Sequence, residues 1–122
     1  MIDEPKAKVG LKAFFNIAKA WRLSEDDEAA ILGQPDREVL RAWKDGKGPE
    51  AGEETVLRIS YVLGIFKAIN ILLPIPARAD AWISKPNKAR IFGGRSARDR
   101  MTDGDIEDLK AIRQYLDAQL YT

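Results

Sequence analysis

Two residue types are missing from this sequence of 122 residues, which contains neither cysteine nor histidine. Without cysteine there is no disulfide, no thiolate zinc site and no cysteine nucleophile. Without histidine, the commonest general base and the commonest metal ligand are both absent. An enzyme would have to use carboxylates, lysine or tyrosine, and the sequence shows no paired carboxylates in an apolar setting and no phosphate-binding glycine loop. We therefore predict a protein with no enzymatic activity, no metal and no cofactor.

The sequence also lacks the features of an exported or membrane protein. The N-terminal stretch MIDEPKAKVG is charged and has no apolar segment of the kind found in signal peptides. No apolar run approaches the length of a membrane span. Together with the absence of cysteine, these features favour a cytoplasmic protein with no membrane partner.

An excess of basic residues is missing as well. The formal net charge is +1 at pH 7, whereas nucleic-acid-binding domains often carry a clear basic excess. Any contact with DNA must therefore come from a local patch, or from several copies of the chain acting together.

The residues that are present predict an all-α protein. The apolar fraction of 45% and the charged fraction of 32% are typical of a globular chain. Apolar residues recur at helical spacing in residues 6–21, 53–73 and 106–120, and no segment alternates like a strand. Thr102, with Asp105 three residues later, is the predicted cap of the last helix. By length, the chain forms one domain or two very small ones, and we predict a helix-turn-helix unit in residues 1–75 followed by a small helical unit in residues 76–122.

Residues 24–45 have the layout of a helix-turn-helix motif. Ser24 and Asp36 are candidate N-caps of two short helices, and Gly33 permits a sharp turn between them. Basic residues recur at i, i+4 and i+7 on the second helix, the element whose arginines can read guanine and whose lysines can hold phosphate. The predicted DNA-binding residues are Gln34, Arg37, Arg41 and Lys44. The alternative is a plain helical hairpin with a solvated basic face.

A basic strip in residues 82–100, WISKPNKARIFGGRSARDR, separates two predicted helices. Pro86 and the pair Gly93-Gly94 indicate a shaped loop, and Ser96 with an acid three residues later indicates a helix start. Asp99 is the single acid of the strip. The cations of the basic strip are Lys85, Lys88, Arg90, Arg95, Arg98 and Arg100. A structural connector with solvated charges is one explanation, and a docking surface is the other.

Four blocks of sequence follow one another in order: RISYVLGIFKAINILLP, AWISKPN, FGGRSARDRM and DLKAIRQYLDA. Together they resemble the Xre/MbcA/ParS toxin-binding domain of bacterial type II antitoxins, and they most resemble the Xre group that neutralises RES-domain toxins. The resemblance covers about residues 58–118, half of the chain, and Xre-type antitoxins also carry an N-terminal helix-turn-helix. The matched motif residues are Trp82, Pro86, Asn87, Phe92, Gly93, Gly94, Ser96, Asp99, Met101, Tyr115, Leu116 and Asp117.

The resemblance implies an antitoxin that binds its own promoter through the N-terminal unit. Its C-terminal unit would cover the active site of a RES toxin, an enzyme that consumes NAD+. The predicted toxin-binding residues are Trp82, Asn87, Arg95, Arg98, Asp99, Tyr115, Asp117 and Tyr121. Arg98 stands where the family more often has leucine. The tail QLYT also departs from the family pattern, so a contact by Tyr121 rests on its chemistry alone.

The alternative is a helix-turn-helix repressor with no toxin partner, whose C-terminal half only dimerises it. In residues 53–73, Tyr61, Ile65 and Ile71 fall off the main apolar stripe. We predict that part of this surface is buried between two chains, giving a homodimer or, with toxin, a larger complex. The sequence leaves open whether the basic strip contacts toxin or DNA.

Overall fold

A computed structural model describes residues 4–121 of the chain, with side chains from Ala7 onwards. Over these residues the fold is all-α, with no strand, as the sequence predicts. The seven helices of this part of the chain are α1 (Glu4–Ala20), α2 (Glu25–Leu32), α3 (Arg37–Lys44), α4 (Glu53–Leu72), α5 (Pro76–Trp82), α6 (Ala97–Met101) and α7 (Ile106–Leu120).

Helix α4 is the centre of the fold. It contacts α1, α2, α5 and α7, and its contact with α7 is the most extensive between any two helices. Side chains from both halves of the chain form one continuous core around it. The largest fully buried side chains are Phe14, Ile31, Leu32, Leu40, Val62, Ile65, Ile69, Ile83, Met101, Leu109 and Ile112. The division of the chain at residue 75 stays a prediction.

The buried position of Ile65 corrects one sequence-based expectation. Ile65 is fully buried within its own chain, so it cannot contact a second copy. Tyr61 is half-buried against the core, and Ile71 is exposed. Because α4 is covered by helices on several sides, its extra apolar positions serve the core more than the sequence suggested.

Helix α4 also corrects the expectation about membrane spans. By length and composition, its 20 residues are apolar enough to cross a membrane. One such helix is weak evidence, because the core helix of a soluble protein meets the same criterion. The contacts of α4 with four other helices are those of a core helix.

Side-chain caps set the starts of several helices. Ser24 and Asp27 form a reciprocal capping box at α2, and Ser96 and Asp99 form one at α6. The expectation that Thr102 caps the last helix is wrong. Asp105 caps α7 by accepting a hydrogen bond from the Glu107 N–H, whereas Thr102 ends α6.

Candidate functional site

The cations predicted to contact DNA are all engaged in ion pairs with acids of α2. The three pairs are Arg37–Asp26, Arg41–Glu25 and Lys44–Glu28, with N–O distances of 2.9, 2.9 and 3.0 Å. The Arg41–Glu25 pair is bidentate, because the Arg41 Nε also donates to Glu25 at 3.0 Å. Gln34 accepts a hydrogen bond from the Asp36 N–H at 3.0 Å. A nucleic-acid phosphate would have to displace these carboxylates.

The charge of the whole helix pair differs from that of α3 alone. Residues 24–45 contain seven acids and three basic residues. The hydrogen bond from Arg41 lowers the pKa of Glu25 below its ordinary value, and Glu25 raises the pKa of Arg41 in turn. The surface of α2 and α3 is therefore acidic overall, and DNA binding by Gln34, Arg37, Arg41 and Lys44 stays a prediction.

The basic strip is a closed loop held by backbone hydrogen bonds. The Asn87 N–H donates to the Arg95 carbonyl, and the Gly94 N–H donates to the Asn87 carbonyl, both at 3.0 Å. The Asn87 side chain accepts from the Ala89 N–H at 2.8 Å. Gly93 and Gly94 have φ angles of 57° and 87°, which L-residues with a Cβ rarely adopt. Asn87 therefore shapes the loop through its backbone and side chain.

The six cations of the basic strip fall into two groups. The C-terminal three are ion-paired: Arg95 with Asp103, Arg98 with Asp27 and Arg100 with Asp108. The N-terminal three are exposed and have no ion pair within residues 4–121: Lys85, Lys88 and Arg90. Half of the strip's charge therefore stabilises the fold, and the other half is available to a partner.

The ion pair between Arg98 and Asp27 joins α6 to α2. The Arg98 Nε lies 3.0 Å from the Asp27 carboxylate, which also accepts the Ser24 N–H of the capping box. Desolvation favours the neutral form of Asp27, but the hydrogen bonds from Ser24 and Arg98 outweigh it and lower the pKa of Asp27. Arg98 was predicted to bind a partner, and it contacts the helix-turn-helix segment of its own chain.

Arg58 of α4 connects the two halves of the chain from inside the fold. Only 6% of it is exposed. Its guanidinium donates to the Ala30 and Ile31 carbonyls at 3.2 and 3.3 Å and to the Gly104 carbonyl at 2.8 Å. Its Nε also donates to Glu54 at 3.2 Å. A single buried cation therefore donates hydrogen bonds both to carbonyls at the end of α2 and to a carbonyl of the turn before α7.

Three aromatic side chains pack together in the C-terminal half. The Phe92 ring of the basic strip meets Trp82 at 5.8 Å and Tyr115 at 5.5 Å between centroids, in edge-to-face geometry. Phe92 is buried, while Trp82 and Tyr115 are half-buried. The loop therefore brings two of the predicted toxin-binding residues onto one surface.

Next to these aromatic rings lies an open apolar groove of about 190 Å³. The lining residues of this apolar groove are Ile69, Leu72, Leu73, Trp82, Tyr115, Leu116 and Gln119. Large apolar side chains are exposed at this end of α4 and at the start of α5, where Ile71, Leu72 and Ile75 are 54%, 37% and 51% exposed. Tyr121, after α7, is 85% exposed. Sequence reasoning missed Leu72 and Leu73, although the run ILLPIP at the end of the central helix was a visible signal.

The segment that contains the apolar groove is similar to a known protein family. Residues 68–121 match the model of the antitoxin Xre/MbcA/ParS C-terminal toxin-binding domain. The C-terminal part of the chain therefore belongs to this family of toxin-binding domains. A relative, the "Uncharacterized protein y4oB" of Sinorhizobium fredii (strain NBRC 101917 / NGR234), is 45% identical over 117 residues, which are 96% of this chain and 88% of the relative.

Within the toxin-binding domain, the remaining predicted contact residues have partners in the same chain. Asp99 caps α6, and Asp117 accepts from the Arg113 Nε at 3.1 Å. Arg113 lies directly over Gly64, where an added Cβ would overlap its guanidinium. Glycine at this position of α4 leaves room for the Arg113 guanidinium, which any larger residue would have to displace. Of the predicted contact residues, Trp82 and Tyr115 line the apolar groove.

Proposed function

We propose that this chain is the antitoxin of a type II toxin–antitoxin pair and neutralises a RES-domain toxin. It acts in the cytoplasm by binding, with no catalytic group of its own. Its toxin-binding domain covers the active site of the NAD+-consuming toxin and keeps substrate out. The RES identity of the toxin rests on the resemblance of the four sequence blocks to the Xre group.

The apolar groove inside the matched domain is the observation that carries the proposal. Exposed apolar side chains clustered beside half-buried tryptophan and tyrosine are typical of a protein-binding surface. Removing them from water provides the affinity. The unpaired cations Lys85, Lys88 and Arg90 on the same domain suit an acidic rim on the toxin, where they would speed the encounter.

We propose further that the protein represses its own operon, as a homodimer or in a larger complex with toxin. The support is the helix–turn–helix geometry of α2 and α3, joined by Gly33 in a left-handed conformation with φ 67°. Two such motifs related by symmetry would read two half-sites. When DNA binds, Arg37 and Arg41 would contact phosphate, and their partner carboxylates on α2 would return to solvent.

Co-expression with the product of the adjacent gene tests the proposal. We expect the toxin alone to deplete cellular NAD+ and stop growth, and this chain to restore both. We also expect the two proteins to purify together. The absence of any toxin gene beside this one, or growth arrest that persists despite full expression of this chain, would favour the alternative of a repressor without a toxin partner.

A further inference from the structure

The basic helix of the N-terminal half is α1. Helix α1, Glu4–Ala20, contains four lysines and one acid, Glu4. Residues 24–45 contain seven acids and three cations, and all three cations are ion-paired. The positive charge available to a polyanion therefore lies beside the helix-turn-helix segment.

Two lysines of α1 and one lysine of the turn after α3 are exposed: Lys12, Lys19 and Lys47. None of them has an ion pair or hydrogen bond of its side chain within residues 4–121. Lys12 and Lys19 stand seven residues apart, which places them on one face of the helix about 10 Å apart along its axis. The charges of Lys12 and Lys19 therefore lie along one line, and Lys47 lies beside α1, where it lines a small pocket with Ala7 and Leu11.

A wide groove of about 530 Å³ runs beside this line, between α1 and the end of α3. Lys12, Phe15 and Asn16 line one side, and Lys44 and Asp45 line the other. The Lys44 Nζ lies 5.5 Å from the centroid of the Phe15 ring. Lysines therefore stand on both walls of the groove, and Asp45 is the acid at its edge.

We propose that this α1 face, defined by Lys12, Lys19 and Lys47, binds the sugar–phosphate backbone of double-stranded DNA. The face lies outside residues 68–121, so it is separate from the toxin-binding domain. Lysine is depleted from protein–protein interfaces, whereas it binds phosphate well as a point charge. Charge and composition therefore favour a nucleic acid over an acidic protein.

The inference rests on the DNA-binding half of the proposed function and is independent of the toxin. Phosphate contacts fix the position of a protein on the duplex but carry no sequence information. The α1 face would supply the attraction that the acidic surface of α2 and α3 lacks. Sequence preference would then remain with α3.

The test measures binding of the full chain to two duplexes of equal length, its own promoter and an unrelated sequence, at several salt concentrations. The variant carries Lys12→Glu, Lys19→Glu and Lys47→Glu. The control carries Lys67→Glu, Arg78→Glu and Lys110→Glu, three exposed positions outside α1 and the turn after α3 with the same change in net charge. A second variant with glutamine at the α1 positions guards against misfolding, and circular dichroism checks every protein.

Each phosphate contact contributes about 0.9 to the slope of log K against log salt, so three lost contacts lower the slope by about two to three units. A slope lower by about two units means about a hundredfold weaker binding at 0.1 M salt, if the two proteins bind equally at 1 M. We expect this loss on both duplexes for the α1 variants and less than about threefold for the control.

Two results would overturn the inference. If α1 variants bind as tightly as the control while Arg37→Ala with Arg41→Ala loses binding, α3 alone holds the DNA and the repressor proposal stands. If the wild-type chain binds neither duplex, the DNA-binding half of the proposed function fails as well. Toxin neutralisation, measured by growth, is unaffected by either result.

Discussion

Replacing Arg58 by methionine tests how the two halves of the chain are held together. Methionine keeps a long flexible side chain in the buried position but removes every donor. Glu54 is mostly exposed, with 67% of its side chain accessible, so its carboxylate returns to water at little cost. The main loss falls on backbone carbonyls inside the fold.

The size of the effect follows from these carbonyls. The Ala30 carbonyl still accepts a hydrogen bond from the Gly33 N–H at 3.2 Å. The Ile31 and Gly104 carbonyls lose the donor that Arg58 supplies. A buried acceptor left without its partner costs about 1–3 kcal/mol. Two such carbonyls lose their donor, and the buried methionine side chain offsets part of the cost. We therefore expect the free energy of unfolding to fall by about 3 kcal/mol. For a chain of this size that lowers Tm by about 10 °C.

Urea unfolding followed by circular dichroism measures the change. Glu54→Gln is the matched control, because it removes the exposed partner of the same arginine and should cost less than about 1 kcal/mol. Arg58→Lys should fall between wild type and Arg58→Met, since a single ammonium cannot reach all the carbonyls. If Arg58→Met stays within about 1 kcal/mol of wild type, the assignment of Arg58 as the link between the halves is wrong.

Three further predictions concern the ion pairs, α4 and self-association. Asp27→Asn should lower Tm at pH 7, because Arg98 loses its charged partner. The pKa of Asp27 is lowered in the fold, so the charged carboxylate stabilises the protein above about pH 4. This stabilisation disappears as the pH falls through the lowered pKa. Thermal melts from pH 7 to pH 2 should show the gap to wild type closing below about pH 4, and a constant gap would contradict the account. Gly64→Ala should change stability by less than about 1 kcal/mol, since a better helix former offsets the displacement of Arg113 from Asp117, and a loss above about 2 kcal/mol in urea unfolding would show that Arg113 cannot move. Light scattering at tens of micromolar should give about twice the 13.7 kDa of one chain, and a clean monomer would remove the homodimer.

The helices were predictable because their signals are local. Apolar periodicity placed the long helices within a few residues, and the Ser24 and Ser96 boxes were read correctly from a spacing of three residues. Thr102 has the same spacing to Asp105, and there the rule failed. Gly104, at φ 91°, turns the chain between them, so Asp105 itself stands at the start of α7.

The ion pair between Arg98 and Asp27 and the hydrogen bond from Arg58 to Gly104 were not predictable, because each joins residues far apart in the chain. Arg98 and Asp27 are 71 positions apart, and Arg58 and Gly104 are 46 apart. Sequence spacing says nothing about which acid meets which base at such distances. The pairing of the α3 cations with acids was partly predictable, because the four consecutive acids Glu25 to Glu28 precede α3 in the sequence. Four acids at the start of a helix also suit its dipole, so their presence alone does not predict pairing with α3.

The apolar groove was half predictable. Trp82, Tyr115 and Phe92 were all among the residues selected through the family resemblance. Leu72 and Leu73 were assigned only to the end of the central helix, because periodicity cannot show that α5 and α7 leave them uncovered. The open face depends on how three helices pack, which is a property of the whole fold.

The most direct test of the central claim is the affinity of the purified chain for its cognate toxin, measured with a groove variant and a matched control. The groove variant carries Leu72→Glu, which lines the groove, and Ile75→Glu, an exposed apolar position at the start of α5. The control carries Val9→Glu and Leu57→Glu, two other exposed apolar positions outside the matched domain. All four side chains are exposed, so both variants should melt like wild type. We expect the groove variant to bind on the order of a hundredfold more weakly and the control to bind within about threefold of wild type. Unchanged affinity in the groove variant, or an equal loss in the control, would contradict the claim that this groove binds the toxin.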